Sequence, residues 1–450
     1  MFGRAVVSAG LWPDPLVPTT PKSPGPEIDL FEHATPSTPC PRTVVPSQDP
    51  WYKALPGFEA YSPGTVLRIR AVPEKLIPFD HTSKAYHIMY RTTGSRYQPT
   101  WAVASLFIPE TPCILPSGHN ALLSCQPAYN SASVDYSPSY TLFQPVPPSA
   151  QGIPTGHARF HKMLSRGWFV VVPDFEGPHA AFGASVLAGH ATLDCIRAVL
   201  SLAGNDHASL PLPNHASRFK YAMWGYSGGS IASEKAAELQ VQYAPELTGL
   251  VGAALGGLVS NMGSTFDINN KSPVMGNLIL ILLGIMHEYP EADTYIRSCL
   301  KPETSDAFLD GNNMQSFQAF CAFANHDLYG YFKNGRIDFT DSPVLRKIRK
   351  VEWILGYHGV PEIPLFVYKA IGDHMTPIAD TDEHIAQYKR FNASVLYERN
   401  TVGDHVTEIE NGQDRAIEWL ASVFNGTYDG VDQGVRVRDV TVNIYKPPIN

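Results

Sequence analysis

Residues 219–230 read Phe219-Lys220-Tyr221-Ala222-Met223-Trp224-Gly225-Tyr226-Ser227-Gly228-Gly229-Ser230. An apolar run ends in Gly225-x-Ser227-x-Gly229, and a segment with helical spacing follows, in which Ile231, Ala232, Ala236 and Leu239 share one face. A serine between two glycines at a strand-to-helix junction is the pattern of a nucleophile elbow. The turn is so tight that a Cβ at the flanking positions would collide with the neighbouring strand and helix. Such a turn lifts the serine hydroxyl above the end of a sheet. It also aims the free N–H groups of a helix start at any oxyanion formed there. Gly228, Gly229 and Ala232 would let that helix lie close to the sheet.

A serine hydroxyl is a weak nucleophile at neutral pH and needs a base, normally a histidine oriented by a carboxylate. In the serine–acid–histidine order of this architecture, the acid and base sit in loops after later strands. The apolar run Leu365–Ala370 is followed by Ile371-Gly372-Asp373-His374-Met375-Thr376-Pro377, which offers Asp373 as the acid. The short strand expected over Ser394–Glu398 is followed by Thr401-Val402-Gly403-Asp404-His405-Val406-Thr407-Glu408, which offers His405 as the base. His374 has the wrong strand position for the base. Asp404 reads as a solvated turn residue, and Asp380 and Asp382 as residues of a helix start. An oxyanion hole needs two donors. The backbone N–H of Gly228 is one, and the second is expected from the loop Ser124-Cys125-Gln126-Pro127-Ala128-Tyr129-Asn130-Ser131. On the residues alone, Asn130 reads rather as a turn-forming asparagine.

Working outward, residues 13–50 hold eleven prolines and no hydrophobic periodicity, so residues 1–48 read as an extended Pro-rich leader, disordered or wrapped on the surface. Runs rich in β-branched and aromatic residues at Thr65–Val72, Tyr86–Arg91, Thr100–Ile108 and Leu122–Cys125 are expected as antiparallel strands opening a sheet. From His157 onward helix and strand alternate. His157–Arg166 reads as helix and Trp168–Pro173 as a strand buried on both faces. The next helix carries Leu193, Ile196, Val199, Leu200 and Ala203, with Gly204 as its C-terminal stop. A later helix is expected to be capped by the pair Asp380 and Glu383. The last helix carries Ile417, Leu420, Ala421 and Phe424 at i, i+3, i+4, i+7.

Repeated β-α units imply a mainly parallel sheet with helices on both faces. The rhythm breaks over 260–350, a stretch too long for a loop, and this predicts an inserted helical cap. Within it Leu278–Met286 is apolar except for Gly284. Either this face lines an acyl or alkyl pocket, or the helix is buried against its neighbours. The expected organisation is therefore a core of 49–259 and 351–428, a cap of 260–350, and a C-terminal extension of 429–450.

Composition narrows the function classes. The chain has 450 residues, 44% hydrophobic and 17% charged, enough for one large core with an insertion. A net charge of −8 without a basic block argues against nucleic acid as partner. Six scattered cysteines (Cys40, Cys113, Cys125, Cys195, Cys299, Cys321) exclude a ribbon-type zinc site and a disulfide-dense scaffold. A local Cys299–Cys321 bridge and two buried free thiols stay open as alternatives. No H-E-x-x-H and no G-x-x-x-x-G-K motif occurs, so neither metal nor cofactor is expected. Met1–Trp12 makes a poor signal peptide, with Pro13 and Pro15 following at once. The sequons at Asn270, Asn392 and Asn425 carry little weight without a clear signal.

Taken in order, several segments resemble one family, the fungal secretory lipases typified by lipase A of Candida antarctica. They are Asp49-Pro50-Trp51-Tyr52 with Pro63-Gly64-Thr65-Val66-Leu67, Ser137-Pro138-Ser139-Tyr140, and Val172-Pro173-Asp174-Phe175-Glu176-Gly177. Gly225-Tyr226-Ser227-Gly228-Gly229, Tyr243-Ala244-Pro245-Glu246-Leu247 and His405-Val406-Thr407-Glu408 complete the set.

The resemblance implies an α/β-hydrolase fold with a helical cap and cofactor-free ester hydrolysis by Ser227, Asp373 and His405. It also implies oxyanion binding at Gly228 and Asn130, a monomer, and transient contact of the cap with a lipid interface. The typical member has an aspartate where this chain has Asn130, whose backbone N–H is then the expected donor. Tyr136 stands where a disulfide cysteine is common, and the C-terminal flap of the typical member is expected to be short or absent. Secretion follows from the resemblance, and a cytoplasmic location from the weak leader. Relatives in fungal secondary metabolism deacetylate small molecules such as trichothecenes, so a lipase and a small-ester esterase are both implied. An acyltransferase, a serine peptidase or a non-catalytic binding protein on the same fold would be the competing classes.

Overall fold

A computed structural model describes residues 44–144, 157–204, 210–430 and 434–444; most of the Pro-rich leader and Cys40 lie outside them. Ten strands form one sheet: β1 (Val66–Val72), β2 (Thr82–Thr93), β3 (Pro99–Pro109), β4 (Asn120–Gln126), β5 (Phe169–Pro173), β6 (Phe219–Tyr226), β7 (Leu250–Gly256), β8 (Leu365–Ala370), β9 (Val395–Asn400) and β10 (Val435–Val440). Their spatial order is β1-β2-β3-β5-β4-β6-β7-β8-β9-β10. β1, β2, β3 and β5 pair antiparallel in succession, and every pair from β5 through β4 to β10 is parallel.

Two expectations change here. The run at Leu122–Cys125 is not an antiparallel opener. All seven residues of β4 are buried, and it lies parallel between β5 and β6. Ala121, Leu122 and Leu123 run together without alternation, as burial on both faces demands, whereas a half-solvated antiparallel strand would alternate. The stretch after 429 also holds an element, β10, which adds an edge strand parallel to β9. Its valines alternate with charged residues, and Val437, Arg438 and Asp439 are exposed, so no apolar run marked it.

The period of two sorts the parallel strands onto two faces. Leu122, Met223, Leu255 and Val367 belong to one apolar cluster, together with the helices Ser185–Leu202 and Gly228–Tyr243. Leu123, Trp224, Ala254 and Phe366 belong to the other, together with His157–Ser165 and Glu408–Asn425. Ser185–Leu202 is long and apolar enough to cross a membrane, but its residues are buried between sheet and cap. Gly204, at φ +80°, follows that helix as the expected stop. The helix Ile378–Arg390 starts directly after Pro377, so Asp380 lies in its first turn and makes no cap with Glu383.

Helices fill the stretch between β7 and β8, from Met262 to Glu352. Gly276–Glu288 is buried nearly all round, so its apolar run packs mostly against its neighbours. A Cβ on Gly284 would stand 2.2 Å from the Phe182 carbonyl oxygen, a backbone approach that only glycine permits. Two buried carboxyls fasten this unit to the core, Glu352 at the helix Ser185–Leu202 and Glu288 at the β2–β3 turn. Glu352 accepts from Val186 N (2.8 Å) and from the Tyr289 hydroxyl. Glu288 accepts from Ser95 N (2.7 Å) and Gln98 Nε2 (2.8 Å). Cys299 is half-buried, Cys321 is exposed and both are free, so neither the bridge nor the pair of buried thiols is found.

At the other end of the chain, Pro46 is already buried, and Asp49 pairs with Arg70 at 2.7 Å beneath the Trp51 ring. The Asp49-Pro50-Trp51-Tyr52 segment thus anchors the chain entry to β1.

Candidate active site

The loops after β4, β5, β6, β8 and β9 gather at the carboxyl edge of the parallel strands, where ligands bind in open α/β sheets. Ser227 follows β6 directly and takes φ +53° and ψ −122°, a conformation costing on the order of 1–3 kcal/mol for a residue with a side chain. The surroundings enforce it. A Cβ on Gly225 would lie 2.1 Å from Gly229 O, and one on Gly229 only 1.8 Å from Gln126 O. Ser227 N donates to Gly256 O at 2.9 Å, which ties the turn to β7.

The structure brings the three separated residues together. His405 Nε2 stands 2.8 Å from Ser227 Oγ, and its Nδ1 stands 2.7 Å from Asp373 Oδ2. The Asp373 carboxylate is itself held: Oδ1 accepts from Met375 N (3.0 Å) and Thr376 N (2.9 Å), and Oδ2 accepts from Thr376 Oγ1 (2.9 Å). Tyr226 OH donates to the His405 carbonyl at 2.7 Å and fixes the histidine loop from below. Burial works to raise the Asp373 pKa, but the His405 ring, its hydrogen bond and a nearby ammonium together hold it well below the usual carboxylate range. A histidine held this way is able to take a proton from the serine and return it to a leaving group. His374 is exposed and Asp404 caps its own turn through Val406 N and Thr407 N; neither enters this arrangement.

The ammonium belongs to Lys369, which no sequence signal singled out. Its position in β8 reads as strand interior, yet it is fully buried. Nζ donates to Leu258 O (2.7 Å) and Thr376 Oγ1 (2.8 Å) and lies 3.5 Å from Asp373 Oδ2. Burial lowers its pKa to about 8, partly opposed by Asp373.

Asn130, at φ +44°, presents its side chain to the elbow. A Cβ on Gly228 would be 2.1 Å from Asn130 Oδ1, and that oxygen is buried without a hydrogen-bond partner. The backbone amides of Asn130 and Ser131 instead face the Glu176 carboxyl, which Ser131 N reaches at 3.3 Å. Burial pushes the Glu176 pKa well above the carboxylate range, and the nearby Asp174 adds to the rise.

The cavity on Ser227 is small, ≈ 20 Å³, with room for about one water. Gly276–Glu288 contributes only Asn277 and Ile281 to it. Thr265 and Asn269 add further polar groups from the cap side. Asn277 Oδ1 is buried and unpartnered.

A family model described as "Secretory lipase" matches residues 152–430, more than half of the chain. The chain belongs to the secretory lipase family.

Among its relatives are a "Probable trichothecene esterase" of Stachybotrys chartarum, 43% identical over 89% of this chain and 81% of that protein, and the "Trichothecene C-3 esterase" of Fusarium sporotrichioides, 42% identical over 89% of each. The crystal structure of Candida antarctica lipase A superposes with a TM-score of 0.78 at 24% identity, covering 89% of this chain and 90% of that one, and shows the shared α/β-hydrolase fold. This secretory lipase is accordingly an ester hydrolase of the lipase and esterase type, acting on small-molecule esters.

Tyr136 makes hydrogen bonds at this loop. Its hydroxyl donates toward the cap, to Gln318 Oε1 at 3.1 Å.

Proposed function

We propose that this secretory lipase removes a short acyl group, acetyl above all, from an oxygenated small molecule. In this reading Ser227 Oγ attacks the ester carbonyl as His405 Nε2 takes its proton. The oxyanion is bound by Gly228 N–H and by Asn130. Collapse expels the alcohol, which receives the proton from His405. Water, deprotonated by His405, then releases the acid from the acyl-serine. Asp373 stays ionised throughout and stabilises the imidazolium.

Because the Asn130 backbone amide faces Glu176, the group offered to the oxyanion is the side-chain amide. A half-turn about Cβ–Cγ brings its Nδ2 to the position now held by Oδ1.

The observation that carries the substrate class is the cavity. At ≈ 20 Å³ it is nearer the size of an acetyl group than that of a long alkyl chain, which needs a tunnel. Asn277, whose side-chain oxygen has no partner, would also be poorly matched by an alkyl chain, since a buried unsatisfied polar group costs about 1–3 kcal/mol. The two trichothecene esterases point the same way.

The test is hydrolysis of p-nitrophenyl acetate, octanoate and palmitate and of an acetylated trichothecene, by wild type and Ser227→Ala. A steep preference for acetate, lost in Ser227→Ala, is expected. Activity rising with chain length would favour a lipase, and equal rates for the two proteins would refute Ser227 as nucleophile.

A further inference from the structure

The loop that carries Asn130 is held from two sides. On the core side, Glu176 faces the amides of Asn130 and Ser131, and its own N–H donates to Tyr129 OH at 2.7 Å. This gives the Val172-Pro173-Asp174-Phe175-Glu176-Gly177 segment a place in the site. On the cap side, Ser316 Oγ lies 3.0 Å from the carbonyl oxygen of Tyr129 and 2.8 Å from that of Asn130. Ser131 Oγ lies 3.3 Å from Met314 O, and Tyr136 OH 3.1 Å from Gln318 Oε1. The peptide units flanking the Asn130 side chain are thus fixed by the first residue of the cap helix Ser316–Phe323.

That helix is packed rigidly against the one lining the cavity. A Cβ on Gly276 would stand 2.2 Å from Ala319 O, so the two helices touch backbone to backbone. The second of them, Gly276–Glu288, places Asn277 and Ile281 over Ser227. A substrate larger than a cavity of ≈ 20 Å³ enters when its lining gives way, and where Gly276–Glu288 shifts, the helix bearing Ser316, in backbone contact with it, shifts too.

We infer that Ser316 is a positioning residue that couples closure of the cap over the substrate to assembly of the oxyanion hole. With the cap displaced, the Tyr129 and Asn130 carbonyls lose their donor and the amide of Asn130 drifts from the oxyanion position. With the cap closed on an acyl group that fits, the hydroxyl sets it back. The energy of substrate binding is thereby spent on completing the site, which is how induced fit adds to specificity. This inference rests on the role proposed above for Asn130.

The experiment is a double-mutant cycle read by steady-state hydrolysis of p-nitrophenyl acetate, with Ser316→Ala, Asn130→Ala, both together, and Ser316→Thr as the conservative control. Ser316→Ala is expected to lower kcat by roughly tenfold, with KM within about a factor of two. Ser316→Thr should restore kcat, because it keeps the hydroxyl. In the Asn130→Ala background, already down about a hundredfold, adding Ser316→Ala should change kcat no further. The same loss in both backgrounds would overturn the coupling, as would a loss confined to KM. An Asn130→Ala protein with wild-type kcat would overturn it too. The nucleophile assignment is judged separately, by Ser227→Ala on the same ester.

Discussion

Replacing Lys369 with methionine tests the electrostatics beneath Asp373. The lysine is fully buried and its pKa falls from 10.5 to about 8, with desolvation as the largest cause and Asp373 opposing it. A lysine depressed in the folded state is protonated less readily there than in the unfolded chain. Between about pH 8 and 10.5 the unfolded state therefore binds more protons, and stability rises with pH across that window. At about 1.4 kcal/mol per pH unit, the gap between 10.5 and about 8 amounts to about 3 kcal/mol.

Lys369→Met removes this dependence, while the other groups that titrate in the window are common to both proteins and cancel. The lost hydrogen bonds to Leu258 O and Thr376 Oγ1 offset the variant by an amount that does not vary with pH. The assay is urea unfolding of both proteins at pH 7, 8, 9 and 10, followed by tryptophan fluorescence. The stability of wild type relative to Lys369→Met should be level below about pH 8 and then climb, most of the ~3 kcal/mol appearing by pH 10. A difference that stays flat, or falls, over that range would refute the account of a buried, depressed lysine.

Asn130→Asp should have a lower kcat than wild type above pH 7, where an ionised carboxylate repels the oxyanion. The deficit should narrow as pH falls and the acid regains a donor proton; a pH-independent ratio would show that the side chain is not the donor. Asn277→Leu should unfold at a higher temperature, since it removes an unpartnered buried amide oxygen. It should also lose kcat/KM on the acetylated trichothecene while gaining relative activity on octanoate, both measurable in one substrate panel; an unchanged acetate-to-octanoate ratio would remove Asn277 from specificity. Gly229→Ala forces a methyl group to within 1.8 Å of Gln126 O and should destabilise the protein by about 3 kcal/mol in denaturant melts. A wild-type melting curve would mean that the elbow is looser than described.

The order of the site was legible in the chain because its logic is local. A serine between glycines after an apolar run, an acid just past Leu365–Ala370 and a histidine just past the next strand are each readable within about ten residues. Strand direction was less legible. β4 is short, and only its neighbours β5 and β6 decide that it runs parallel. β10 was hidden because an edge strand that interleaves valines with arginines carries no hydrophobic signature. The apolar helix Gly276–Glu288 left two readings open, and packing decided mostly for burial. Asn277 and Ile281 were the exception, and only they reach the cavity.

The sequence by itself determined the fold class and which serine, aspartate and histidine could meet, since tight turns and strand ends leave recognisable residues at predictable places. Lys369 beneath Asp373, the Asn130 backbone turned toward Glu176, and Ser316 reaching across from the cap were decided only by tertiary structure. Each is a contact between segments far apart in the chain. A buried lysine, a turn asparagine or a helix-start serine has no local pattern that tells which partner folding will bring to it.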